Sequence, residues 1–366
     1  LEVFILKTMR YFRYLLLPFS WIYGLVVFTR NYFYDTGIFK STKFDLPVIV
    51  IGNLEVGGAG KSPMTEFLIK TLKPNYKIAT LSRGYGRQTQ GFFYAGKNST
   101  AKTIGDEPLQ FKQKFSGITV AVCESRVEGV EKLQEEHDLI LLDDAYQHRA
   151  LQPGFSILLF DFNKLDESHF LLPAGNYREP FSGKKRADVI VISKCPPDLS
   201  AEKQLAIRWK MKLDARQSLF FTSIVYLPFR KLAPSDDTVF IDLKFTLFVL
   251  TGIANPKPLL QHLRMQSAAV FPYKYPDHHQ FTIKNISKLV ADFEACPAIK
   301  KAVITTEKDA QRLQEPELQK LLAGLPVLVA PIGISFLNNA GPAFQQIIEN
   351  YVRKYQKDNR IYTKPD

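Results

Sequence analysis

Val48-Ile49-Val50-Ile51-Gly52-Asn53-Leu54-Glu55-Val56-Gly57-Gly58-Ala59-Gly60-Lys61-Ser62-Pro63 is the stretch on which the fold turns. A β-branched apolar run feeds a glycine-rich turn that ends in Gly-Lys-Ser and opens onto a helix, the layout of a phosphate-binding loop. Across Gly57, Gly58, Ala59 and Gly60, small residues let backbone N–H groups close on anionic oxygens, and the helix N-terminus adds partial positive charge. Lys61 would reach the β- and γ-phosphates and the Ser62 hydroxyl would ligate Mg²⁺. Pro63 is compatible with a first helical turn. The pattern G-x-x-x-x-G-K-S asks for glycine at its first position; Glu55 stands there, which leaves Gly57-Gly58 to supply the turn.

Downstream, apolar runs alternate with helical patterns. Strands are expected at Lys77–Leu81, Ile118–Cys123, Asp138–Leu142, Ser156–Phe160 and Asp188–Ile192, which argues a parallel, doubly wound sheet. Ser82-Arg83-Gly84-Tyr85-Gly86-Arg87 follows a strand's carboxyl end, where ligands of open α/β sheets bind, although a plain glycine-rich turn explains it equally well. Asp106-Glu107 precedes a helical segment; for a lone pair of carboxylates an N-cap is the commoner role. The run Asp138–Leu142 ends in Asp143-Asp144-Ala145-Tyr146-Gln147-His148, a Walker-B pattern in which an aspartate holds Mg²⁺ directly or through water. Arg178-Glu179 lies in a turn-rich loop. Ser193-Lys194-Cys195-Pro196 has proline where GTPases carry the guanine-binding aspartate, so ATP is the expected nucleotide.

The chain has 366 residues, 46% hydrophobic and 23% charged, with a net charge of +12. That suits one large or two medium domains and an anionic partner, without choosing among membrane, nucleic acid and phosphorylated substrate. Cys123, Cys195 and Cys296 lie far apart with no C-x-x-C spacing, so neither a zinc site nor a disulfide framework is expected. The N-terminal segment interleaves aromatics (Tyr11, Phe12, Trp21, Tyr23, Phe28, Tyr32, Phe33) with Lys7, Arg10, Arg13 and Arg30. Its uncharged run, Tyr14 to Thr29, is 16 residues, short of the roughly 20 that span a bilayer. An interfacial helix fits that pattern, and a helix packed on the main domain is compatible with it.

Five segments are expected: a membrane-associating segment at 1–40, a nucleotide-binding kinase domain at 41–226, a linker at 227–244, a smaller α/β domain at 245–335, and a helix and tail at 336–366. The region Phe271–Phe281 is dense in aromatic and imidazole groups, including His278 and His279, which solvent exposure in a loop would explain as well as function.

The ordered set is Gly-Asn-Leu-x-Val-Gly-Gly-x-Gly-Lys-Ser-Pro, Ser-Arg-Gly-Tyr-Gly-Arg, Gly-Asp-Glu-Pro, Asp-Asp-x-x-Gln-His, Arg-Glu-Pro, Asp-His-His and Thr-Glu-Lys-Asp. Together these motifs resemble the tetraacyldisaccharide 4′-kinase family of Gram-negative bacteria, from the N-terminal segment to about residue 310. The family's loop also lacks the first Walker glycine. Ala145-Tyr146 departs from its usual Gly-Phe, which matters only if that backbone needs positive φ. The resemblance implies an α/β, P-loop NTPase-like parallel-sheet domain with an N-terminal membrane-associated helix, plus a second, smaller α/β/α domain across a cleft. It implies ATP and Mg²⁺ as cofactors, and transfer of the γ-phosphoryl group to the 4′-hydroxyl of a lipid A disaccharide 1-phosphate, giving lipid IVA. By similarity Asp106 is the base and His278 its partner. Lys61, Asp144, His148 and Arg178 join the catalytic set, while Ser62, Asp143, Asp144, Glu107 and Gln147 are the metal candidates. The expected place is the cytoplasmic face of the inner membrane, as a peripheral or monotopic protein at the lipid surface.

Two rival readings carry less. A membrane-recruited P-loop switch ATPase of the partitioning type has a signature lysine before Gly-Gly-x-Gly-Lys, where this chain has Val56. A nucleic-acid-binding ATPase would match the charge, but no nucleic-acid module is present, so no nucleic-acid partner is expected.

Overall fold

The computed structural model describes residues 13–232 and 238–362. Among these, two sheets form. The larger has the order β15-β8-β7-β6-β1-β5-β2-β4-β3. Its interior consists of β1 (Val48–Asn53), β2 (Ile78–Ser82), β4 (Thr119–Val122), β5 (Leu139–Asp143), β6 (Phe155–Asp161), β7 (Val189–Ser193) and β8 (Ser218–Tyr226). All of these pair in parallel. The two edges, β3 (Phe93–Tyr94) and β15 (Ile332–Phe336), are antiparallel. The interior strands match the apolar runs of the sequence to within a residue or so at each end, and the doubly wound expectation holds.

Burial on both faces explains why these strands read as unbroken apolar runs. Val48 and Val50 point to a core shared with Val130 and Leu133 of α5 (Arg126–Leu133) and Met211 of α6 (Ala201–Met211). Ile49 and Ile51 point to the opposite core, with Met64, Leu68 and Leu72 of α2 (Lys61–Leu72) and Phe111 of α4 (Asp106–Lys114). The short α3 (Ala101–Ile104) precedes α4. Because β1 sits between β5 and β6, the chain winds away from it in both directions, and the crevice beyond its carboxyl end is the topological switch point where open α/β sheets bind ligands.

The smaller sheet has the order β10-β9-β14-β13-β11-β12. It comprises β9 (Phe229–Lys231), β10 (Thr238–Val239), β11 (Thr246–Thr251), β12 (Ala269–Lys274), β13 (Lys301–Thr306) and β14 (Val327–Ala330). Phe248 and Leu250 pack against α8 (Ile283–Ala295) and α10 (Pro316–Leu322), while Leu247 and Val249 pack against α7 (Lys257–Arg264). Helix α9 (Glu307–Arg312) follows β13 directly.

Three boundaries differ from the sequence reading. The stretch 227–244, expected as a linker, contributes β9 and the edge strand β10 to the small sheet, because backbone pairing rather than hydrophobicity recruits these short strands. Residues 332–335, expected in the small unit, form β15 on the large sheet, and α11 (Gly341–Tyr362) packs Phe344, Ile348 and Val352 into the core beside α2. The chain therefore crosses between the sheets twice, side by side, with Leu227 N–H donating to Pro331 O at 2.9 Å. Within the aromatic stretch, 269–274 is a strand; Pro272 is accommodated because β12 is an edge.

Helix α1 (Leu17–Asp35) lies against the loop 171–179. Ser20 Oγ donates to Leu171 O at 3.0 Å, Tyr23 Oη donates to Arg178 O at 3.0 Å, and Arg30 pairs with Glu179 at 3.2 Å. Val27 is buried, while Phe19, Trp21, Ile22, Leu25, Val26 and Phe28 are exposed. The helix is docked along one side and apolar along the other. No described helix is long and apolar enough to cross a membrane. Lys7, Arg10, Tyr11 and Phe12 fall outside the described residues.

Candidate active site

The site starts at the carboxyl end of β1. Gly57 and Gly60 adopt φ of +107° and +83°, which a side chain would strain, so these glycines make the turn that Glu55 cannot. Glu55 itself is buried and pairs with Lys164 at 3.6 Å. Gly58 and Ala59 complete the loop. Ser193 Oγ, at the end of β7, donates to Ala59 O at 2.8 Å and pins it to the sheet. Lys61 and Ser62 open α2, with Pro63 in its first turn.

Lys61 Nζ donates to Asn53 Oδ1 at 3.0 Å and lies 3.5 Å from Asp144 Oδ1. Arg178 joins the same cluster: its guanidinium donates to Asp144 Oδ1 at 3.0 Å and, in a short contact, to Asn53 Oδ1. Gln147 Nε2 donates to Asn53 O at 2.8 Å. Asn53 is thus a hub, although the sequence reading gave it no role. Thr65, one helical turn beyond Ser62, was also missed; its hydroxyl donates to Asp143 Oδ1 at 3.1 Å.

The adjacent aspartates are driven apart electrostatically. Burial, then the neighbouring Asp144 and Glu107, push Asp143 up to about 7. Asp144 is also penalised by burial, but Lys61 and Arg178 outweigh that and hold it below the usual carboxylate range. The positive φ of 49° falls on Asp144 and not on Ala145, so alanine replaces the family's glycine without backbone strain.

The second cluster bridges the sheets. Asp106 opens α4, and His278, itself at φ +58°, reaches it from the loop after β12, with Nδ1 at 3.2 Å from Asp106 Oδ2. Arg312 of α9 donates to that same oxygen from Nε at 3.0 Å and Nη2 at 2.5 Å. Burial opposes ionisation of Asp106, yet the bonds from His278 and Arg312 prevail and keep its carboxyl below the usual range. His278 is raised, chiefly by its bond to Asp106. Tyr85, from the loop after β2, sets its ring 5.5 Å from that of His278. Glu107 is ion-paired with Lys308 of α9 at 2.6 Å. Arg312 was missed by the sequence reading; the Thr-Glu-Lys-Asp motif just before it was the available signal.

Two predicted residues do different work locally. His148 Nε2 accepts the backbone N–H of Arg126 at 3.3 Å, at the start of α5, and burial together with Arg126 and Arg83 lowers its pKa to about 4. It is a neutral acceptor at a helix end, so it is set aside from the catalytic set. Gln147 spends its amide N–H on the β1 carbonyl. Among the described residues no three carboxylate, imidazole or thiol groups close into a metal cage. That donor set still fits Mg²⁺, which binds through one or two carboxylates plus phosphate oxygens and water.

Comparison with known proteins decides the family. The family model described as Tetraacyldisaccharide-1-P 4′-kinase matches residues 12–353. The chain belongs to that kinase family. It is similar to the tetraacyldisaccharide 4′-kinase of Phocaeicola vulgatus, at 40% identity over 354 residues, covering 94% of this chain and 97% of the relative. To the Flavobacterium johnsoniae enzyme of the same name the identity is 41% over 356 residues, covering 96% and 99%. The crystal structure titled as the "apo" form of LpxK from Aquifex aeolicus in complex with ATP superposes with a TM-score of 0.72 at 25% identity, covering 93% of this chain and 99% of that one. The family resemblance read from the ordered motifs therefore stands. A kinase of this family uses ATP, and the loop at 57–63 has the backbone conformation of a phosphate-binding turn.

Proposed function

We propose that this kinase transfers the γ-phosphoryl group of ATP to the 4′-hydroxyl of a tetraacylated glucosamine disaccharide 1-phosphate, with Asp106 as proton acceptor. The observation that carries the reading is Asp106: a buried carboxylate at the start of α4 on the large domain, kept ionised by His278 and Arg312 reaching it from the small domain. A sugar hydroxyl is a poor nucleophile at neutral pH, and a positioned carboxylate assists it by accepting its proton. The acceptor O4′ forms a bond to Pγ, the bond from Pγ to the bridging oxygen breaks, ADP leaves, and the hydroxyl proton passes to Asp106. His278 orients that carboxylate. Lys61 and Arg178 offset the charge on the transferring group.

A Mg²⁺ ion held beside the loop would supply charge neutralisation at the phosphates. Ser62 and Asp143 are the residues that would hold it: no ion pair engages the Asp143 carboxylate among the described residues, whereas Asp144 lies against both Lys61 and Arg178. Glu107 is neutralised by Lys308 and Gln147 is engaged with β1, so both fit an outer supporting position.

A tetraacylated substrate stays in a bilayer, so the enzyme has to work at its surface. The exposed apolar side of α1, bearing Trp21, Phe28 and their neighbours, supports attachment to the cytoplasmic face of the inner membrane. The test is ATP-dependent phosphate transfer to purified disaccharide 1-phosphate in detergent, comparing the parent with Asp106→Ala. Phosphorylated lipid from the parent, with a loss of about 10²-fold or more in the variant, supports the reading. Undiminished transfer by the variant removes Asp106 from its role. Absence of transfer, with ATP hydrolysis stimulated by bare anionic vesicles, favours the switch ATPase.

A further inference from the structure

Helices α4 and α9 face each other across the two domains and exchange three ion pairs: Asp106 with Arg312, Glu107 with Lys308, and Lys114 with Glu307. The first lies deepest, and the Arg312 side chain has no exposed surface. A guanidinium fork ordinarily takes both oxygens of a carboxylate. Here both prongs, Nε at 3.0 Å and Nη2 at 2.5 Å, converge on Oδ2 alone, the oxygen that His278 also contacts. Oδ1 of Asp106 accepts no hydrogen bond among the described residues. The third nitrogen, Nη1, is anchored to Asp309 Oδ1 at 3.0 Å and Gly252 O at 3.1 Å. Asp309 is in turn fixed by Thr306 Oγ1 at 2.7 Å and Gly252 N–H at 3.0 Å.

We propose that Arg312 is a positioning residue for phosphoryl transfer: reaching in from the small domain, it fixes Asp106 through Oδ2 and so presents Oδ1 to the acceptor hydroxyl. The inference rests on Asp106 as proton acceptor and extends it. A carboxylate at the first position of a helix has rotational freedom about its side-chain bonds, and misplacing a reacting group by about 1 Å costs on the order of 10²-fold in rate. The anchored fork removes that freedom only when the two domains are together, so the base is oriented in the closed enzyme. A lysine supplies charge at the same place but a single point of contact, which fixes distance without direction.

The test is a kinetic cycle on the full chain with ATP and the detergent-solubilised disaccharide 1-phosphate, using Asp106→Asn, Arg312→Ala, Arg312→Lys and the two Asp106→Asn double variants. Thermal midpoints show which variants are folded, and Arg312→Lys carries the test if Arg312→Ala is not. Expected for Arg312→Ala is a fall in kcat of about 10–10²-fold with KM for ATP within about twofold, and partial recovery on adding guanidinium ion. In the Asp106→Asn background neither Arg312 substitution lowers kcat further, because the group that it positions is gone. Equal losses in both backgrounds, or a parallel rise in both KM values without rescue, would overturn the proposal in favour of a structural role for Arg312. Full activity of the Asp106→Asn single variant would instead refute Asp106 as proton acceptor, and the positioning role with it.

Discussion

Removing Lys114 probes how the two domains are held together. Lys114 Nζ lies 2.6 Å from Glu66 of α2 and 2.7 Å from Glu307 of α9, and all three side chains are at most 9% exposed. Lys114→Met keeps the side-chain length and deletes the charge, leaving two buried carboxylates face to face. Glu307 retains Arg230 at 2.6 Å and the Ile332 N–H at 3.3 Å, so the deficit falls mainly on Glu66, which among the described residues keeps only the Gln110 amide at 2.7 Å. Breaking a buried pair by removing one partner costs about 3–5 kcal/mol, and the surviving contacts place this one near the lower end, at about 3 kcal/mol. Burial, then Glu307, already raises the Glu66 pKa despite Lys114, and the substitution raises it further. A folded-state pKa above the unfolded value means that the folded protein binds the proton more tightly, so stability is lost as pH rises through the folded pKa. The variant's deficit is therefore expected to grow as pH rises and to shrink as pH falls toward the ordinary carboxylate range. Urea unfolding followed by circular dichroism at two pH values measures this. A loss under about 1 kcal/mol at neutral pH, the size of an exposed pair, or a loss that does not change with pH would refute the reasoning.

Lys61→Ala is expected to lower kcat for transfer by about 10²–10³-fold, since the proposed mechanism uses its charge to offset that of the transferring group, and radiolabelled transfer assays check it. Replacing Trp21, Leu25 and Phe28 together by serine should leave folding intact, because these side chains are exposed, while abolishing sedimentation with anionic vesicles; undiminished sedimentation would count against α1 as the membrane contact. His148→Gln should flatten the acid limb of stability. The lowered folded pKa, about 4, means that the unfolded chain binds the proton more tightly, so the parent loses stability as pH falls from the ordinary histidine range toward about 4, and the variant lacks that component.

Most of the large domain was legible in the residues themselves. Strands covered on both faces must be apolar throughout, so Val48–Ile51, Leu139–Leu142 and Val189–Ile192 announced themselves, and a Gly-rich turn between strand and helix has few uses besides holding phosphate. Asp143, Asp144 and Lys61 followed because strand ends and helix starts converge at a switch point. What tertiary structure alone decided is of a different kind. The short strands Phe229–Lys231 and Thr238–Val239 are recruited by backbone pairing, which leaves little mark on composition. The return of 332–336 to the first sheet depends on which edge is free to accept a strand. Asn53, Thr65 and Arg312 are ordinary polar residues in sequence, and their meaning comes from what stands opposite them: Lys61, Asp143, and an aspartate 206 positions away. Local pattern is set by burial and turn chemistry, which a sequence displays. Partnership between distant polar groups is set by how the two domains meet, and only the folded chain displays that.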